Sequence, residues 1–194
     1  MGGGAMTDDD FPTKAMRQKA GHQEILGETL AKFEFFQNGW HPYSRFLDID
    51  KVDLILRRRL ADKIVYREVQ VKFGKLYTKL SGWEHQLFAC TSWRFFKERD
   101  LEEMTERVGL FLAYVLSGDE GFKGDMFIFP IKNFVDVVRS SLKSGNGEYK
   151  VYISRSSSEE PHWYIRRQGR KFDTLNNTTV VDVTNYYRNF QCLR

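Results

Sequence analysis

Residues 65–73, VYREVQVKF, decide the fold. Val65, Val69, Val71 and Phe73 share one face of an extended segment, with Arg67 interrupting it, and Tyr66, Glu68, Gln70 and Lys72 share the other. A period of two rather than 3.6 makes this a strand. Four polar groups in a row on one strand face would be costly to bury without partners. That face is therefore expected to meet solvent, a metal or a ligand. Just upstream, residues 52–57 alternate Val52, Leu54 and Leu56 against Asp53 and Ile55, with 58–63 as the connecting turn. The two segments read as a hairpin.

Outward from this hairpin the chain alternates helix and strand. Ile25, Leu26, Thr29, Leu30, Phe33 and Phe36 gather on one side of a helix over 23–37, which Asn38-Gly39 stops, and a strand is expected over 40–46. Residues 82–98 read as a second helix carrying Trp83, Leu87, Cys90 and Phe95; 101–107 continues it or forms an acidic turn. VGLFLAYVL, residues 108–116, is nearly unbroken apolar sequence before Ser117-Gly118, as in a central strand buried on both faces. A strand over 125–131 follows, with Pro130 marking an edge or an end, and then a helix to 142 capped by Asn133. Residues 149–154 and 162–166 are expected to pair as a hairpin, and 181–190 to close the chain as a short helix. The expected organisation is a flexible tail over 1–20, a core over 21–145, and an extension over 146–194 packed on that core.

Composition limits the possibilities. The chain has 194 residues, enough for one ordinary domain, and its 15% aromatic content argues against disorder. No run of about 18 apolar residues offers a membrane span, and residues 1–14 lack a secretory apolar segment. Cys90 and Cys192 fit neither a zinc spacing nor a disulfide framework, so a cytoplasmic location is the expectation. The net charge of +4 says little, but its distribution says more. Residues 51–79 hold nine Lys/Arg against three Asp/Glu, and 98–125 hold eight acids against three bases. Positive charge thus gathers around the hairpin, as binding of a polyanion requires.

The order helix, strand, strand, strand, helix, strand, with Asp53 on the second strand and Gln70-x-Lys72 on the third, resembles the PD-(D/E)XK nuclease superfamily. The matching segments are GETLAKFEFFQNGW (27–40), VDLIL (52–56) and REVQVKFGK (67–75). The resemblance implies an α/β fold, a restriction-endonuclease-like mixed β-sheet flanked by helices with an αβββαβ core. It also implies a Mg²⁺-dependent deoxyribonuclease, with Mn²⁺ as a substitute, acting on DNA and working as a possible homodimer. The family's first-helix acid falls on Glu28, its central acid on Asp53, its second acid on Gln70 and its lysine on Lys72. Gln70 is a departure, since most members carry Glu or Asp there.

The chemistry of such a site is simple to state. Mg²⁺ takes about six oxygen ligands and keeps several waters. Asp53 would supply a charged oxygen; Gln70 and the Val71 carbonyl would supply neutral ones. A second carboxylate is then expected, from Glu28 or from Glu68, two residues before Gln70 on the same face. Lys72 would orient or deprotonate the attacking water and stabilise the charge that builds at phosphorus. Arg57, Arg58 and Arg59 in the turn, with Arg166, Arg167, Arg170 and Lys171, would suit phosphate contacts. Two other readings use the same residues: a catalytically inactive nucleic-acid-binding protein, which Gln70 favours, and an enzyme that processes RNA or single strands.

Overall fold

The computed structural model describes residues 14–44, 51–80, 82–143 and 147–194. It is a mixed α/β fold with helices and two sheets. The first sheet is built from β1 (His41–Ser44), β2 (Leu54–Leu60), β3 (Lys63–Lys75), β5 (Leu110–Ser117) and β6 (Met126–Pro130), side by side in that order. β5 pairs parallel with β3 and antiparallel with β6, and from Leu112 to Ser117 every residue is buried. The unbroken apolar run is an interior strand buried on both faces, as expected, but it lies one strand in from the edge strand β6, and β3 holds the centre of the sheet.

The second sheet runs β10 (Val180–Asp182), β9 (Trp163–Arg166), β8 (Glu148–Ser156) and β4 (Phe88–Lys97), with β7 (Leu142–Lys143) paired to β8. β4 lies in the stretch expected to be a long helix; only α2 (Glu84–Leu87), a single turn, is helical there. Trp83, Leu87 and Cys90 mimic a helical stripe. A register shift between Phe88 and Cys90 also breaks the two-residue alternation that would have revealed the strand. The expected 149–154/162–166 hairpin is present as β8 and β9.

α1 runs Lys14–Gln37, so it starts well before residue 23 and includes the end of the expected tail; residues 1–13 lie outside the described residues. Its buried side is also not the expected one. Gly27, Ala31, Glu34 and Phe35 face the sheet, while Ile25, Phe33 and Phe36 are exposed. Close approach selects small residues. A Cβ on Gly27 would lie 2.9 Å from the Cβ of Phe73 on β3, so the helix axis could not come this near with a larger residue. Gly74 does the same on the opposite side, where an added Cβ would lie 2.5 Å from Ser92 Oγ on β4.

The molecule therefore layers α1, the first sheet, and then the second sheet flanked by α3 (Glu98–Thr105) and α4 (Ile131–Arg139). One core lies under α1, around Ala31, Phe35, Trp40, Leu54, Val69 and Ile128. A larger one lies between the sheets and the two helices, around Phe96, Leu101, Leu112, Tyr114, Phe129, Phe134 and Ile153.

Smaller differences have local causes. β2 reaches Leu60 and turns through Ala61 and Asp62, with Ala61 at φ 48°, so Arg57, Arg58 and Arg59 lie on a strand and not in a turn. α4 begins at Ile131, and Asn133 donates to the Tyr186 hydroxyl at 3.0 Å in place of capping. Residues 181–190 form the end of β10 and a 3₁₀ turn (Thr184–Tyr186), not one helix. The end of the strand expected over 40–46 lies outside the described residues. Among the described residues, no helix is long and apolar enough to cross a membrane.

Candidate active site

The site begins where two paired strands differ in length. The β2–β3 ladder ends at Leu54 opposite Val69, but β3 continues to Lys75. The β2 side of its remaining edge has no strand partner, and side chains complete it. The Asp53 amide donates to the Val69 carbonyl at 3.0 Å, and the Val71 amide donates to Asp53 Oδ2 at 2.5 Å. Two residues on, Arg94 Nη1 of β4 donates to the Phe73 carbonyl at 3.0 Å. Because a strand residue's N–H and C=O leave on the same edge, the Val71 carbonyl points to the Asp53 side.

A cleft of about 400 Å³ opens at this edge. Glu24 and Glu28 of α1 border one side of it, Arg94 and Phe95 of β4 and Asp100 of α3 another, and Asp53, Gln70 and Lys72 line it between them. Lys51, at the rim, pairs with Asp100 at 3.2 Å and with Glu103. Four residues that sequence singled out, Glu28, Asp53, Gln70 and Lys72, thus line one cavity.

Gln70 is 3% exposed, and its Oε1 has no hydrogen-bond partner among the described residues. A buried acceptor left unmade costs about 1–3 kcal/mol, so something that binds oxygen is expected against it. The expectation that the polar face of β3 meets solvent, a metal or a ligand narrows here to a buried oxygen in a cleft. Lys72 carries the complementary strain. Burial pushes its ammonium pKa down, Asp53 pulls it back up, and Arg94 lowers it again. Glu28 is raised, first by burial and then by the Asp53 carboxylate, with Lys32 at 3.8 Å working against that shift. Glu28 lies in the middle of α1, so no helix-start dipole acts on it.

Other expected residues are placed elsewhere. Glu68 is exposed on β3 and does not line the cleft. Arg166 is a correction. It is 2% exposed, bonds Glu84 at 2.6 Å, Ser154 Oγ and Thr91 Oγ1, and lies over the Phe88 and Tyr152 rings. A guanidinium so enclosed is committed to the interior and does not reach a phosphate. Arg58 donates to the Asn38 carbonyl and covers Trp40, whereas Arg59, Arg170 and Lys171 are exposed and Arg57 and Arg167 half-buried. Sequence reading missed Glu24, Lys51 and Arg94. Glu24 was findable, four residues before Glu28 on the same helix face; Arg94 was hidden by the helical reading of its strand.

Among the described residues, no group of three or more His, Cys, Asp and Glu side chains is gathered as a metal site. The oxygens at this strand edge that could hold a hard cation are those of the Asp53 carboxylate, the neutral Gln70 Oε1 and the Val71 carbonyl, with the Glu28 carboxylate bordering the same cleft. The donor type suits Mg²⁺ or Mn²⁺, and the unpartnered Gln70 oxygen fits a cation.

No protein-family model and no curated protein matches this chain. Among solved structures it is similar to a bacterial homing endonuclease, I-Ssp6803I, with 12% identity and a TM-score of 0.47, covering 89% of this chain and 90% of that one.

Proposed function

We propose that this chain is a metal-dependent endonuclease that hydrolyses phosphodiester bonds in DNA. The observation that supports this most is the buried, unpartnered Gln70 oxygen in a cleft that also holds Asp53 and Lys72. Asp53, Gln70 Oε1 and the Val71 carbonyl would hold Mg²⁺, with Glu28 as the second carboxylate. A divalent cation at this place supplies Lewis-acid polarisation of a phosphate and an acidified water.

The protein's own groups do the rest. The Val71 amide fixes the Asp53 carboxylate at the strand edge, which sets where its other oxygen points. Lys72, whose ammonium pKa burial lowers, lines the cleft where it can orient the attacking water. As an ammonium it balances the charge that builds on the phosphate oxygens. Arg94 adds a second fixed cation at the same wall.

Supercoiled plasmid incubated with Mg²⁺ or Mn²⁺ tests the proposal, comparing the parent with Asp53→Ala and Lys72→Ala. Nicking by the parent that both substitutions abolish is the expected result. Equal activity in all three proteins removes the assignment. The neutral Gln70 also favours a second reading, a binding protein without cleavage, whose signature is salt-sensitive DNA retention and no nicking by the parent.

A further inference from the structure

β4 has two faces with different fates. Ser92, Arg94 and Phe96 turn inward, while Trp93 and Phe95 turn out on the opposite face and are 43% and 42% exposed. Large aromatics are normally buried, so two adjacent exposed ones on a single strand call for an explanation. Their cross-strand partners on β8 are Tyr152, opposite Trp93, and Lys150, opposite Phe95. The Lys150 ammonium lies 4.9 Å from the Trp93 ring, 4.9 Å from Tyr152 and 5.6 Å from Phe95. Lys150 forms no ion pair with a carboxylate among the described residues. Further along this face Phe172 and Trp83 cover Phe88, so that half of the sheet is closed while the Trp93–Phe95 half is open.

The open half is continuous with the candidate active site. β4 is the edge strand of its sheet, and Phe95 itself lines the cleft with Arg94 and Lys72. A ligand that follows this path would pass from cations inside the cleft onto aromatic rings with one unpaired ammonium among them. An apolar peptide would not need the lysine, and a simple polyanion would not need the rings. A nucleic acid strand needs both, because its phosphates take the cations and its bases stack on rings.

We infer that Trp93, Phe95 and Tyr152 form a stacking platform for unpaired bases of a DNA strand whose phosphate enters the cleft, with Lys150 placed on the neighbouring phosphate. The inference rests on the nuclease reading for the end of the strand held in the cleft. The platform selects strands with unstacked bases, since a base held within a duplex does not offer its face to a side chain. The preferred substrate is therefore single-stranded DNA, or duplex DNA opened beside the cut.

Anisotropy of a labelled single-stranded DNA oligonucleotide, and of the same sequence as a duplex, measures this with the full chain. Stacking lost at one aromatic weakens binding by about 5- to 150-fold. Trp93→Ala and Phe95→Ala are expected to weaken single-strand binding within that range, with a much smaller effect on duplex, and Trp93→Phe to restore most of it. Tyr43→Ala, an exposed aromatic on β1, is the control and changes neither. Unchanged single-strand affinity in both alanine variants overturns the platform, and so does an equal loss for single strand and duplex. Dissociation of a dimer on Trp93→Ala with unchanged DNA affinity overturns it too, by identifying the patch as a contact between copies. The two readings fail separately. Aromatic-dependent single-strand binding without Asp53-dependent nicking leaves the platform and removes the nuclease; nicking with unaltered binding in Trp93→Ala does the reverse.

Discussion

Gly27 of α1 and Phe73 of β3 approach so closely that a single added methyl at position 27 would sit 2.9 Å from the phenylalanine Cβ. This contact brings Glu24 and Glu28 to the cleft. Gly27→Ala in an isolated helix would gain up to about 1 kcal/mol. Here the clash is with an atom next to the backbone, and overpacking of this kind costs about 1–3 kcal/mol. The contact outweighs the propensity. Urea denaturation is expected to show Gly27→Ala destabilised, and equal or greater stability of the variant would contradict the close approach.

Gln70→Leu separates stability from function. Removing a buried acceptor that lacks a partner relieves its desolvation cost, about 1–3 kcal/mol. In chelator the variant is expected to be at least as stable as the parent. With Mn²⁺ the parent's melting temperature rises and the variant's does not. A rise of equal size in both proteins shows that Gln70 holds no cation.

Lys72 gives a pH test whose sign is fixed by burial. Its pKa is lower in the folded than in the unfolded chain, so the unfolded chain binds the extra proton between the two values. The penalty is full below the folded pKa and is relieved as pH rises toward the ordinary lysine value. Lys72→Met is therefore expected to be more stable than the parent at neutral pH, with the difference shrinking as the solution becomes alkaline. A constant difference across that range would mean that Lys72 ionises normally.

Glu28 moves the opposite way. Burial and Asp53 raise its pKa, so the folded protein retains its proton at a pH where the unfolded chain has released it. That opposition to ionisation is absent below the unfolded pKa and grows as pH rises through the raised value. A cation beside Glu28 and Asp53 competes with the same protons. Mn²⁺ affinity, followed by calorimetry, is expected to rise with pH through the acid range, more steeply in the parent than in Glu28→Gln. Identical slopes would place Glu28 away from the cation.

Glu84→Ala leaves the buried Arg166 without its carboxylate. Breaking a buried ion pair from one side costs about 3–5 kcal/mol. A large loss of stability with an unchanged salt dependence of DNA binding is the expected pair of results. A steeper salt slope would mean that Arg166, released from Glu84, reaches a phosphate.

The candidate site was more legible than the frame around it. Asp53, Gln70 and Lys72 announce themselves because a polar row interrupts short alternating strands, a local pattern. α1 was found on the wrong face, since Ile25, Phe33 and Phe36 outweigh Gly27 and Ala31 in any hydrophobic reading, yet contact distance favours the small residues. Arg166 resembled surface charge because its partner, Glu84, is remote in sequence. Arg94 was lost with its strand, whose pairing with β8 no local pattern encodes.

β4 sits within the crossover that joins β3 to β5, yet its hydrogen-bonded neighbour is β8. During synthesis the hairpin bearing Asp53 and Lys72 leaves the ribosome long before residues 148–156, and until they emerge the strand bearing Arg94 has no mate in its sheet. The cleft is then a late product of folding, closed by the last third of the chain. A polypeptide stalled before residues 148–156 would carry the chemical groups without the wall that aligns them, so the proposed activity would arrive only once β8 has emerged to pair with β4.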